Sequence, residues 1–191
     1  MAKRKSNLGG MNILLGVSGG IAAYKAVDLA GKLTSAGALI KTVMTENACK
    51  LVGPKSFEAI TNAQVFTSLW DVDNEHKIGH INLADWARII VVAPATANIV
   101  AKIANGICDE ILSTILCACW QKPTLLAPAM NEKMWTNPAV VRNIRTVKKM
   151  GFEITGPDKG RLACGDEAVG RMSEPGEILK AMERIASKIK S

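Results

Sequence analysis

The sequence predicts an α/β domain in which a parallel sheet is covered by helices on both faces. Three observations predict it. Short β-rich apolar runs alternate with longer segments of helical spacing. Two of those runs, Ile13-Leu14-Leu15 and Ile89-Ile90-Val91-Val92, are apolar at every position, as strands covered on both sides must be. The residues after each run are small or carry hydroxyl and amide groups, which suits the crevice beyond the carboxyl ends of an open sheet.

Taken in order, strands are expected at 12–17, 40–45, 64–68, 89–93, 124–127 and 152–155. Between the first two, Ile21, Ala22, Lys25, Ala26, Leu29 and Leu33 recur at helical spacing. Ile99 and Ile103 begin a second such pattern, and the stretch from Ile111 to Trp120 continues it. Residues 156–172 hold four glycines and neither period, so a lid or binding loop is expected there. With no internal repeat or low-complexity linker, the simplest organisation is a basic tail over 1–10 and one domain over 11–191.

Composition narrows the function classes. The 191 residues carry 24 Lys and Arg against 17 Asp and Glu, a net charge of +7, but Lys3, Arg4, Lys5, Lys188 and Lys190 lie at the two ends. Arg142, Arg145, Lys148 and Lys149 fall on one helix face and read as a solvated surface or a site for an anion. Aromatic content of 4% leaves little for base stacking, so no nucleic-acid partner is expected. No apolar run approaches the roughly 20 residues of a membrane span, and no signal-peptide core follows the basic start, so a cytoplasmic protein is expected. Five cysteines without a C-x-x-C pair, and only two histidines, give neither a disulfide framework nor a metal site. Cys49, Cys108, Cys117 and Cys119 lie in apolar helical surroundings and read as buried thiols. Cys164, among glycines and flanked by Arg161 and Asp166, differs from them.

Four loops follow the strands. Gly16-Val17-Ser18-Gly19-Gly20 joins strand to helix and suits a phosphate at the helix N-terminus, although Ser18 breaks the dinucleotide fingerprint and a plain tight turn explains it equally. Thr45-Glu46-Asn47, Pro94-Ala95-Thr96-Ala97-Asn98 and Pro128-Ala129-Met130-Asn131 converge on the same crevice. Each Pro–Asn loop on its own is also what a strand stop followed by a helix cap requires. Two such Asn side chains, able to donate and accept, can equally fix a flavin edge or an amide-rich substrate. His80, in an amphipathic segment with Ile81, Ala84 and Trp86, is the better acid–base candidate of the two histidines, because His76 sits among Asp73, Asn74, Glu75 and Lys77.

The motifs Gly16-Val17-Ser18-Gly19-Gly20-Ile21-Ala22-Ala23-Tyr24-Lys25, His80-Ile81-Asn82-Leu83-Ala84-Asp85-Trp86, Pro94-Ala95-Thr96-Ala97-Asn98, Pro128-Ala129-Met130-Asn131-Glu132-Lys133-Met134-Trp135 and Leu162-Ala163-Cys164-Gly165 stand in a familiar order. Over residues 11–180 the chain resembles the phosphopantothenoylcysteine decarboxylases, a branch of the homo-oligomeric flavin-containing cysteine decarboxylases. The Pro-Ala-Met-Asn-x-x-Met-Trp and Ala-Cys-Gly motifs are the specific ones; the glycine turn is not.

The resemblance implies a Rossmann-like or flavodoxin-like doubly wound sheet that binds FMN between subunits of a homotrimer, which can build a homododecamer. It puts Gly19, Gly20, Ile21, Thr45, Asn47, Thr96, Ala97, Asn98 and Ala129 against FMN, and no metal. It makes His80 the active-site histidine, Asn131 the ligand of the substrate carboxylate and Cys164 the proton donor. The implied reaction is FMN-dependent decarboxylation of 4′-phosphopantothenoylcysteine to 4′-phosphopantetheine in coenzyme A biosynthesis. An electron sink is needed because the acylated nitrogen cannot form a Schiff base. In many bacteria this domain is joined to a C-terminal phosphopantothenate–cysteine ligase, for which these 191 residues have no counterpart.

Competing readings exist. An oxidative decarboxylase of C-terminal peptidyl cysteine would share His80 and the Asn131 loop but lack the reducing cysteine, so Cys164 argues against it. A flavin prenyltransferase leaves His80 and the Ala-Cys-Gly stretch without a role. A non-catalytic regulatory flavoprotein would have lost one of the three residues.

Overall fold

The computed structural model describes residues 6–70, 79–161, 165 and 167–190. Six parallel strands form one sheet: β1 (Asn12–Val17), β2 (Leu39–Met44), β3 (Val65–Phe66), β4 (Ile89–Ala95), β5 (Thr124–Pro128) and β6 (Glu153–Ile154), in spatial order β3-β2-β1-β4-β5-β6. Of the two common doubly wound orders this is the Rossmann one, with its switch point between β1 and β4. The crossovers carry α1 (Ala23–Ser35), α2 (Glu46–Cys49), α3 (Pro54–Thr61), α4 (Gly79–Trp86), α5 (Ala97–Asn105), α6 (Ile111–Ala118), α7 (Glu132–Trp135) and α8 (Pro138–Lys149). Beyond the sheet lie an antiparallel ribbon of β7 (Asp158–Arg161) and β8 (Glu167–Arg171), and the closing helix α9 (Pro175–Lys190).

The all-apolar strands divide the core in two, because alternate side chains point to opposite faces. Ile13, Leu15, Val17, Ile89, Val91, Leu125 and Ala127 face one layer, filled by Leu29 and Leu33 of α1 and by Ile178, Met182 and Ile185 of α9. Leu14, Ile90, Val92 and Leu126 face the other, covered by Leu83 of α4, Ile99 and Ile103 of α5, Leu112 and Ile115 of α6, and Val147 of α8. Truncating a fully buried member such as Leu14 to Ala would cost about 2–5 kcal/mol.

Three expectations are corrected. The tail does not run to residue 10: Leu8 is fully buried, and Ser6 Oγ donates to Glu183 Oε1 at 2.7 Å, so the domain begins before Leu8. Residues 156–172 are not without regular structure, since β7 and β8 pair within them; the glycines and a register shift beside Asp158 hide the alternation. Cys108 and Cys117 are exposed, Cys49 is half-buried and only Cys119 is buried, because Cys108 precedes α6 in a loop and the last turn of α6 turns Cys117 outward. The basic residues of α8, by contrast, form a solvated face.

Candidate functional site

The loops after β1, β2, β4 and β5 meet at the carboxyl edge of the sheet, and buried Ser18 joins two of them. Its Oγ donates to the Pro94 carbonyl at 2.7 Å and accepts from the Thr96 amide at 3.0 Å, so the β1–α1 and β4–α5 turns form one unit. Thr96 then caps α5, its Oγ1 accepting from the Ile99 amide. Thr45 caps α2 in the same way through Ala48, and Asn131 caps α7, its Oδ1 accepting from the Lys133 amide at 2.8 Å. These caps fix the direction of each loop. The N-terminus of α1 is different: no side chain caps it at Ala22 and its first turn holds no acid. Its positive end is therefore open to an anion.

Two glycines are demanded by close approach. A Cβ on Gly19 would lie 2.4 Å from Asn47 Cβ and 2.9 Å from the Asn47 carbonyl carbon. A Cβ on Gly170 would lie 2.0 Å from the Met130 carbonyl oxygen, and the Met130 amide donates to the Gly170 carbonyl at 3.0 Å. The ribbon is thus seated directly on the loop that carries Asn131.

Together these loops enclose a cavity of about 1100 Å³. Gly19, Gly20 and Ile21 line it from the first loop, Thr45 and Asn47 from the second, Thr96, Ala97 and Asn98 from the third, and Ala129 and Asn131 from the fourth. The volume is at the upper end of small-ligand sites, roughly 300–1,000 Å³, and so admits a flavin nucleotide with a second ligand beside it. The uncapped α1, the bare Gly19 backbone and the amide-bearing Asn98 match a phosphate at one end and a hydrogen-bonding ring at the other. A flavin mononucleotide fits these residues.

Not every predicted residue is gathered there. His80 opens α4, partly buried, and is not among the residues lining the cavity. Helix α4 packs on α6 and ends under Lys122, whose Nζ donates to the carbonyls of Ala84, Asp85 (3.0 Å) and Ala87 (2.7 Å). Cys164 lies outside the described residues, in the segment joining β7 to β8, and so does His76.

The structure adds lining residues that sequence reasoning missed. Lys102 bridges Asp109 at 2.6 Å and stands 3.9 Å from Glu110 at one end of the cavity. The Lys102 ammonium holds the Asp109 carboxyl below the usual carboxylate range. Lys25 and Arg171, at another end, both contact Glu174, at 2.9 and 3.0 Å. The Asp109-Glu110 pair before an apolar run was a legible helix start, but nothing local ties Lys25 to a residue 149 positions away. Ile21, Tyr24 and Met134 also line the cavity while 62%, 61% and 47% exposed, leaving an apolar rim. Among the described residues no group of three His, Cys, Asp or Glu could hold a metal, and no helix is long and apolar enough to cross a membrane.

Comparison with known proteins agrees with this architecture. The coenzyme A biosynthesis bifunctional protein CoaBC of Bacillus subtilis (strain 168) is 48% identical over 177 residues, which are 93% of this chain and 43% of that protein. The chain thus spans less than half the length of the curated relatives it matches. A mutant PPC decarboxylase complexed with pantothenoylaminoethenethiol superposes with a TM-score of 0.86 at 32% identity, over 93% of this chain and 99% of that one. The FMN binding protein AtHal3 gives 0.82 at 32% identity, over 97% and 98%. The family model described as Flavoprotein matches residues 1–187, and with that span and this cavity the chain belongs to the flavoprotein family.

Proposed function

We propose that this chain is an FMN-dependent decarboxylase of 4′-phosphopantothenoylcysteine, a cytoplasmic enzyme that forms 4′-phosphopantetheine for coenzyme A. The observation that carries the reading is the single cavity lined by the residues that the motifs assign to the flavin, with Asn131 at its wall. The similarity to CoaBC and to a PPC decarboxylase supports the substrate, and that to an FMN binding protein supports the cofactor.

When bound, the flavin supplies a two-electron acceptor that is regenerated within each cycle. The chain's own groups do the rest. Asn131, held by its cap on α7 and by the Met130–Gly170 hydrogen bond, orients the substrate carboxylate. Loss of CO₂ leaves Cα one hydrogen short, and Cys164, between β7 and β8, supplies that proton. His80 is not among the residues that line its own chain's cavity, and in this reading it serves the site of a neighbouring copy. The apolar rim of Ile21, Tyr24 and Met134 is the surface that such a copy covers in a homotrimer, and four trimers can close into a dodecamer.

The test is to incubate the purified protein, reconstituted with FMN, with 4′-phosphopantothenoylcysteine under anaerobic conditions and to follow CO₂ and product mass. A product lighter by one CO₂ is expected. A product lighter by CO₂ and two hydrogens would make the enzyme an oxidative decarboxylase, and no reaction by the yellow protein would make it a regulatory flavoprotein.

A further inference from the structure

Two cysteines that the decarboxylase reading leaves unused stand beside one wall of the cavity. Cys108, in the turn between α5 and α6, and Cys117, in the last turn of α6, are both exposed. The fold brings them together in two steps. Gly106 ends α5 in the left-handed conformation and turns the chain back, its amide donating to the Ile103 carbonyl. Thr114 of α6 then holds the returning turn, because its Oγ1 hydroxyl is shared between the carbonyls of Glu110, at 2.8 Å, and Cys108, at 3.3 Å. Residues three apart on a helix share a face, so the next residue along the side that meets Cys108 is Cys117. The two thiols interact directly, and the Cys117 thiol adds to partial burial in holding the Cys108 thiol above its usual range. Cys119 does not join them: its buried Sγ is turned inward and donates to the Ile115 carbonyl at 2.8 Å.

The pair matters for what lies between its members. Asp109, next to Cys108, lines the cavity and bridges Lys102 at 2.6 Å. Glu110 follows and also lines the cavity, its carboxylate capping α6 by accepting from the Leu112 and Ser113 amides at 3.0 and 2.8 Å. A covalent link from Cys108 to Cys117 would close a ring around both carboxylates and fix the turn that carries them.

We infer that Cys108 and Cys117 form a redox-active dithiol, a modification site for low-molecular-weight disulfides, in which closure of an internal disulfide ties the α5–α6 turn to α6 beside the cavity. The thiolate of one cysteine attacks a sulfur of the small disulfide, breaks its S–S bond and releases one small thiolate, which takes up a proton. The second cysteine loses its proton to solvent, attacks the protein-bound sulfur of the mixed disulfide and releases the other small thiol. The pair is oxidised by two electrons and the small disulfide is reduced to two thiols, so no other group is needed. Because the second thiol is already in place, closure outruns capture of a second small molecule. The inference holds whether or not the chain is a decarboxylase.

The experiment incubates the FMN-loaded full chain with excess glutathione disulfide, quenches in acid, and maps the products by mass spectrometry. Trypsin releases 103–133 as one piece holding Cys108, Cys117 and Cys119, since no Lys or Arg precedes Lys122 within it and Pro123 protects Lys122. A glutamate-specific protease then cuts after Glu110 and parts Cys108 from the other two. In the wild type the two halves should stay joined, two hydrogens lighter and without glutathione. In C117S they should separate, with one glutathione left on Cys108. Amide exchange over 106–110 should slow about tenfold on oxidation of the wild type and not in C117S. Wild-type halves that separate, bare or carrying glutathione, overturn the inference. Halves that stay joined in C117S overturn it by giving the bond to Cys119, and joined wild-type halves with unchanged exchange overturn the tie to the turn.

Discussion

Replacing Gly19 with Ala tests whether the β1–α1 turn and the α2 loop are in contact as described. The new Cβ would stand 2.4 Å from Asn47 Cβ and 2.9 Å from the Asn47 carbonyl carbon. Carbon atoms rest about 3.5–4.0 Å apart, so Asn47 must retreat by roughly 1 Å, and the obstacle is backbone. That backbone belongs to a single helical turn held by Thr45, which the retreat would pull away from the cavity. Overpacking of this kind costs about 1–3 kcal/mol. At about 2–4 °C per kcal/mol for a domain of this size, the melting temperature falls by roughly 2–12 °C. Calorimetry measures that shift, and flavin absorbance after gel filtration measures retention of FMN, which should be largely lost. Gly176→Ala is the control, because nothing lies within 4 Å of its added Cβ in the first turn of α9. It should be neutral, or stabilising by about 0.4–1 kcal/mol. A Gly19→Ala protein that keeps its flavin and melts within about 1 °C of the parent would refute the contact.

Two further outcomes follow from groups outside the cavity. Lys122→Met strips the cap from the carbonyls of Ala84, Asp85 and Ala87, so the protein should lose about 2 kcal/mol, with faster amide exchange in α4 than in α8; uniform exchange across both helices would dissociate Lys122 from the anchoring of α4. Burial pushes the Cys119 thiol up to about 11, so at pH 8 only about one molecule in a thousand carries its thiolate there. Iodoacetamide should therefore label exposed Cys117 first, with Cys119 labelling rising about tenfold per pH unit below that value; equal rates at pH 8 would contradict the burial of Cys119.

Strands with a one-sided physical cause were legible in the sequence. β1 runs from Asn12 to Val17, the bounds expected around the apolar run Ile13-Leu14-Leu15. β4 exceeds its predicted end because Pro94, which cannot donate to a ladder, sits at a register shift between Val92 and Ala95 and so does not stop the strand. The β7–β8 ribbon was not legible, since Gly160 and Gly170 present backbone where an alternating strand presents side chains. The cofactor loops could be read because each follows a strand. The Lys25–Glu174–Arg171 cluster could not, because it forms only once α1, the ribbon and the start of α9 have been brought together. His80 illustrates a third limit: its type and neighbours single it out as an acid–base candidate, but they do not say whether it reaches its own chain's cavity, and it is not among the lining residues.

The division of the core by the sheet also sets the order in which the molecule can be completed. One layer is covered by α4, α5, α6 and α8, which lie together between Gly79 and Lys149. The other needs α1, ending at Ser35, and α9, starting at Pro175, and these two helices pack on each other. At a synthesis rate of about 5–20 residues per second, α1 waits roughly 7–30 s for its partner to be made. Through that interval Leu29, Leu33, Ile13 and Leu15 face a half-built wall, while the opposite layer can already close. The nascent domain is thus lopsided, sticky on the face that α9 will cover, and the docking of α9 on α1 is the step that ends the exposure of that face to chaperones.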